Sequence, residues 1–128
     1  MKNFTRFMIV VALFFMSVKS SAQDKDNVPK ELLLSSLNSV GKLKLDNDQI
    51  TKIIDYNSGF VDEVYKILDS EKEDKYKKKS LQALHLTRET DLKELIGKSK
   101  TKKYLKLMED ELRPLVKKDH RLKPIAKS

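Results

Sequence analysis

Apolar residues recur at helical spacing through two long stretches between Asp46 and Ile96. In the first, Ile50, Asn57 and Val64 share one heptad column, Ile53, Phe60 and Ile67 a second, and Ile54, Val61 and Leu68 a third. Three adjacent columns make the wide apolar stripe of a helix that faces a core. Leu81, Leu84, Leu92, Leu95 and Ile96 give the second stretch a comparable face. Between them, five of the six residues Ser70-Glu71-Lys72-Glu73-Asp74-Lys75 are charged, so the pattern predicts a long antiparallel helical hairpin across this turn. In that register Ile50 faces Leu95, Val61 faces Leu84, Val64 faces Leu81, and the polar interruptions Asn57 and Arg88 fall opposite each other. A polar pair in a seam fixes register at some cost in stability; the functional alternative is that Arg88 holds a ligand anion.

The flanking pattern adds two helices. Pro29 suits a first helical turn, Leu32, Leu33, Leu34, Leu37 and Val40 follow, and Gly41 supplies a left-handed stop. After Gly97, with Ser99 or Thr101 as cap, Tyr104, Leu105, Met108, Leu112, Leu115 and Val116 give a narrower stripe, which Pro114 is expected to kink or end near Leu112. The expectation is an all-α fold with helices near 29–40, 46–70, 75–96 and 100–113 and no sheet. A single domain would span 29–116, with a disordered stretch at 23–28 and a basic flexible tail at 117–128.

Residues 1–22 read differently. Lys2 and Arg6 precede a nearly unbroken apolar run from Phe7 to Val18, and Ser20-Ser21-Ala22 offers small residues for cleavage. This is the pattern of a secretory signal peptide; twelve apolar residues fall short of the roughly 20 that span a bilayer. No cysteine follows, which excludes a lipid anchor there and any disulfide. The chain is therefore expected to be exported, to a periplasm or the extracellular space.

Export changes the charge balance. The full chain has 27 basic and 19 acidic residues; without Lys2, Arg6 and Lys19 it has 24 against 19, a net +5 in place of +8. That is moderately basic, and in an exported protein it does not point to nucleic acid. With 36% of residues charged, the core is thin, which favours an elongated or oligomeric arrangement over a compact globule.

Leu45-Asp46-Asn47-Asp48-Gln49 is the most specific local signal. Asp46 is placed as N-cap and Gln49 three residues later completes a capping box, while Leu45 and Ile50 stand at the positions of a hydrophobic staple. The five residues resemble the Leu-Thr-x-x-Gln motif of the Spy/CpxP family of exported helical proteins, with Asp46 in place of Thr. A degenerate second copy falls at Ile96-Gly97-Lys98-Ser99-Lys100, followed by Tyr104-Leu105. The resemblance covers about residues 45 to 108. It implies an ATP-independent chaperone or envelope-stress protein, usually a cradle-shaped antiparallel homodimer that binds unfolded clients on its concave face.

Other chemistry is sparse. His85 reads as a packing residue on the rim of the stripe, and His120 sits in the tail with no Asp/Glu/His cluster at ligand spacing. No glycine-rich phosphate loop and no nucleophile beside a base stands out, so neither enzyme activity nor a cofactor or metal is expected. Lys98, Lys100, Lys102, Lys103 and Lys106 crowd the start of the fourth helix, where the helix dipole disfavours cations. They read as a solubilising face, or as a surface for acidic clients or for the phosphates of an anionic membrane. Leu34, Tyr56, Tyr65, Leu86 and Leu107 lie outside or at the edge of the stripes, and a client-binding patch is expected to form from several of them. Three functions stay open: shielding of unfolded or stress-damaged proteins, envelope-stress regulation at a membrane sensor, and structural association with a membrane surface.

Overall fold

The structure, a computed structural model, describes residues 27–127. The expected signal peptide and residues 23–26 lie outside the described residues. The fold is all-α, with α1 (Lys30–Leu37), α2 (Asn47–Leu68), α3 (Asp74–Ile96), α4 (Lys98–Lys118), a 3-10 turn at His120–Leu122 and a short α5 (Lys123–Ala126); no strand occurs among the described residues.

Local chemistry sets the ends of α2. Gln49 N–H donates to Asp46 Oδ1 at 2.7 Å and Asp46 N–H donates to Gln49 Oε1 at 3.2 Å, so both halves of the capping box are made. Leu45 and Ile50, at the staple positions, both pack against the core. At the far end, Lys77 Nζ donates to Leu68 O at 2.8 Å and Ser70 Oγ to Ile67 O at 2.7 Å. These bonds serve carbonyls that a helix terminus leaves open. Contacts between α2 and α3 then step away from the turn: Leu68 with Lys77, Asn57 with Arg88, Tyr56 with Asp91. As one number falls the other rises.

Gly97 joins α3 to α4 with no intervening loop. Its φ of 87° makes it the one described residue with positive φ, a conformation that a Cβ would strain. It is also the N-cap of α4, in place of the expected Ser99 or Thr101. Thr101 is instead fully buried.

α1 lies across α2 and α4, and the buried faces of all four long elements converge on Leu33, Leu37, Ile53, Val64, Leu92 and Leu112. Three expectations are corrected at the edges of this core. First, α1 ends at Leu37 with Asn38 as cap, and Gly41 has no left-handed role. Second, Pro114 lies inside α4, which runs on to Lys118; a proline removes one hydrogen bond, but Leu112 and Leu115 on either side are buried and hold the backbone in place.

Third, the stretch after Lys118 is not a flexible tail. Leu122 and Ile125 are 1% and 2% exposed, and α5 packs on α3 and α4. Asp119 fastens the turn, accepting from Arg121 Nε at 2.9 Å, Arg121 Nη2 at 2.8 Å and the Val28 N–H at 3.1 Å. Val28 is thereby packed as well, which moves the start of the ordered domain back from residue 29. Burial opposes ionisation of Asp119, but the bonds from Arg121 and Val28 outweigh it and hold the carboxyl below its ordinary value.

Candidate functional site

Asn57 and Arg88 meet in the seam, as the opposed interruptions of the two stripes predict. Both are 0% exposed, and Arg88 Nη2 donates to Asn57 Oδ1 at 3.0 Å. Among the described residues no carboxylate bonds to this buried guanidinium. Its second partner is Tyr104 OH at 2.7 Å, which in turn donates to Leu37 O at 2.7 Å. Asn57 Nδ2 lies within 3.2 Å of Leu37 O, Asn38 Oδ1 and Tyr104 OH, three acceptors for two hydrogens. The guanidinium also lies against the Phe60 ring at 4.5 Å and the Tyr104 ring at 5.1 Å, where the ring faces carry negative potential. Four segments of the chain thus share one buried polar knot. Within the knot only Arg88 Nε is buried without a partner, and the Arg88 side chain is wholly shielded from solvent.

Tyr104 is the member that sequence reasoning missed. The sequence places it on the fourth stripe and after the degenerate motif copy but gives its hydroxyl no partner, although a buried tyrosine hydroxyl usually needs one. Tyr56 and Tyr65 show the same demand: their hydroxyls donate to Asp91 Oδ2 at 2.7 Å and to Val28 O at 2.5 Å. Burial, aided by the Asp91 carboxylate, raises the Tyr56 phenol above its ordinary value. Burial likewise pushes Tyr65 up to about 12, with Asp119 adding to the effect.

Those bonds dissolve the expected edge patch. Leu34, Tyr56, Tyr65 and Leu107 are half-buried against the core, and of the five only Leu86 is exposed, at 64%. The surface instead offers a groove of about 880 Å³ between the first half of α3 and the C-terminal segment. Leu68, Leu81, Leu86 and Pro124 form its apolar lining. Lys78, Lys123 and Lys127 stand on its rim with no ion pair among the described residues, against a single carboxylate, Asp74.

His85 forms part of the groove wall and is 8% exposed, deeper than its expected place on the rim. The Lys127 backbone hydrogen-bonds the ring, while Nδ1 is shielded from solvent with no partner. Burial, reinforced by the nearby Arg88 charge, lowers its basicity against the opposing pull of Glu89 and Lys127.

The five lysines at the start of α4 divide. Lys100 Nζ reaches back to Gln49 Oε1 at 2.9 Å, tying α4 to the capping box of α2. Lys98, Lys102 and Lys106 line a shallower cleft of about 440 Å³ between α3 and α4, together with Lys93, Glu89 and Glu109. Lys103 is exposed outside it. The cluster is therefore not one surface.

Among the described residues no group of three or more acidic or histidine side chains is placed to hold a metal ion, and no helix is long and apolar enough to cross a membrane. Comparison with family models, with curated proteins and with solved structures gives no match.

Proposed function

We propose that the chain is an exported, ATP-independent binding protein that holds short acidic, apolar-bearing stretches of unfolded polypeptide in the groove between α3 and the C-terminal segment. The observation that carries this reading is the groove itself, an apolar floor under a rim of lysines that make no ion pair among the described residues. Its volume lies within the roughly 300–1,000 Å³ of ordinary ligand sites. Rim charges of one sign attract an acidic segment at a distance and speed its arrival; short-range apolar contact then slows its departure. Export rests on the pattern of residues 1–22, and the capping-box start of α2, which resembles the Spy/CpxP motif, is consistent with a chaperone role.

The test uses residues 23–128 and an unrelated denatured protein without nucleotide. Suppressed aggregation, with capture slowed by added salt and by Lys78→Gln, Lys123→Gln and Lys127→Gln together, is the expected result. No suppression at equal molar ratio would remove the reading. A second reading, association with an anionic membrane surface, is favoured by Lys98, Lys102 and Lys106, which repeat every four residues on one exposed face of α4. Co-sedimentation with anionic but not neutral vesicles, lost when these three are neutralised, would select it. The cradle-shaped homodimer that the family resemblance implies is read by sedimentation equilibrium of the same preparation.

A further inference from the structure

We propose that the groove is gated by acid: protonation of His85 releases the segment after Asp119 from α3 and so takes away one wall of the groove, with Lys123 and Lys127 of its rim. The proposal rests on the groove being the binding surface and adds how that surface is regulated.

The geometry makes the docked segment compatible with only one state of the ring. A neutral imidazole can leave Nδ1 as an unpaired acceptor, at the cost of one hydrogen bond. A protonated ring carries a second N–H into the same spot, where no acceptor faces it and water does not reach it. It also carries a charge onto the helix face that already holds the buried Arg88. Glu89, on the same helix, is the one nearby carboxylate that favours the charged ring, and it falls short of the effect of burial. The groove's other titratable groups are mostly cationic: Lys77 and Lys78 beside Asp74 on α3, and His120, Arg121, Lys123 and Lys127 on the C-terminal segment. From α2 comes only Leu68, and from α4 nothing. Glu89 is thus the one carboxylate that favours the charged ring, and the docked segment offers the ring only the Lys127 backbone, together less than burial and Arg88 oppose.

Release relieves the conflict. The ring gains water, and the groove loses the wall made by Pro124 with Lys123 and Lys127, so that a client held there is let go. The segment is a single 3-10 turn and a four-residue helix, so little of the fold is lost with it.

The sign follows from the ring being less basic when docked than when released. Docking is at full strength above the free imidazole value of about 6.5 and weakens as pH falls below it. Each pH unit below that value shifts the released-to-docked ratio by up to about 10-fold, so a fall from about pH 7.5 to about pH 5 gives up to roughly 30-fold. His120 is exposed and has water in both states.

The experiment is amide hydrogen exchange of Leu122, Ile125 and Ala126 in residues 23–128 at both pH values, corrected for the intrinsic pH dependence of exchange. The native chain and His120→Gln should lose up to about 30-fold in protection at the lower pH, and His85→Gln should lose none. Equal protection at both pH values in the native chain, or the same loss in His85→Gln, overturns the gate. Should His85→Gln fail to fold, the ring-proton titration of the native chain decides: a His85 midpoint below about 6.5 that tracks the loss at Ile125 supports the gate, and an ordinary midpoint overturns it. Binding of a fluorescent Glu/Leu peptide is measured separately. A chain that releases the segment yet binds no peptide at either pH leaves the release standing and overturns the groove as a binding surface.

Discussion

Arg88 and Lys78 are cations on the same helix, yet one is 0% exposed and the other stands in solvent. Arg88 has two hydrogen-bonded oxygens and two aromatic faces around it. Lys78 has none of these. The buried cation has used its capacity for partners inside the fold, and its role is to bring Asn57, Tyr104 and the end of α1 to one point. The exposed cation, with Lys123 and Lys127, keeps that capacity for something outside. Position along one helix thus separates a charge that specifies structure from charges free to bind.

The contrast breaks most severely if the knot is opened from one side. Asn57→Leu removes one of the two oxygens that Arg88 bonds and leaves a buried charge under-served, with an expected cost of about 3–5 kcal/mol in urea unfolding. A cost below about 1 kcal/mol would mean that the knot is incidental to stability. Tyr104→Phe keeps the ring stacked and deletes only the hydroxyl. Its expected cost is smaller, about 1–3 kcal/mol, because Leu37 O keeps Asn57 as donor and Arg88 keeps Asn57 as acceptor. Arg88→Leu belongs in the same range: an apolar replacement looks harmless from the stripe pattern alone, but it strips Asn57 Oδ1 of its donor.

An exposed device calibrates the scale. Asp46→Ala breaks the capping box and should cost about 1 kcal/mol by thermal or urea unfolding; an effect lost in the error would place the stability of α2 elsewhere. Smallest in stability is the triple change Lys78→Gln, Lys123→Gln and Lys127→Gln, expected within about 0.5 kcal/mol of the native chain. Its peptide association rate should nevertheless fall, and most at low salt. Loss of stability without loss of rate would reverse the contrast drawn between the two sets of cations.

What could be read in the chain divides along similar lines. The capping box was legible because its partners are three residues apart and their geometry is local. The Asn57–Arg88 contact was legible because two interrupted stripes facing each other leave few registers. Tyr104 was not, because its partners come from α1, α2 and α3, and nothing in α4 announces which of them it meets. The C-terminal segment was misread for a different reason. Leu122 and Ile125 are two apolar residues among lysines beside Pro124, too few for a periodicity, and their burial depends on a surface that α3 and α4 make together. Lys100 looked like one lysine of five, and only the approach of α4 to the start of α2 sets it apart.

The bond between Val28 N–H and the Asp119 carboxylate spans 91 residues, nearly the whole described chain. The described part of the chain is thus closed nearly end to end by one buried bond. Joining Asn27 to Lys127 with a few flexible residues and reopening the chain in the charged turn between α2 and α3 is expected to leave the helices and the knot in place. The bond that now closes a long loop would then become a local one, and the contact that must form last by chain entropy could form among the first.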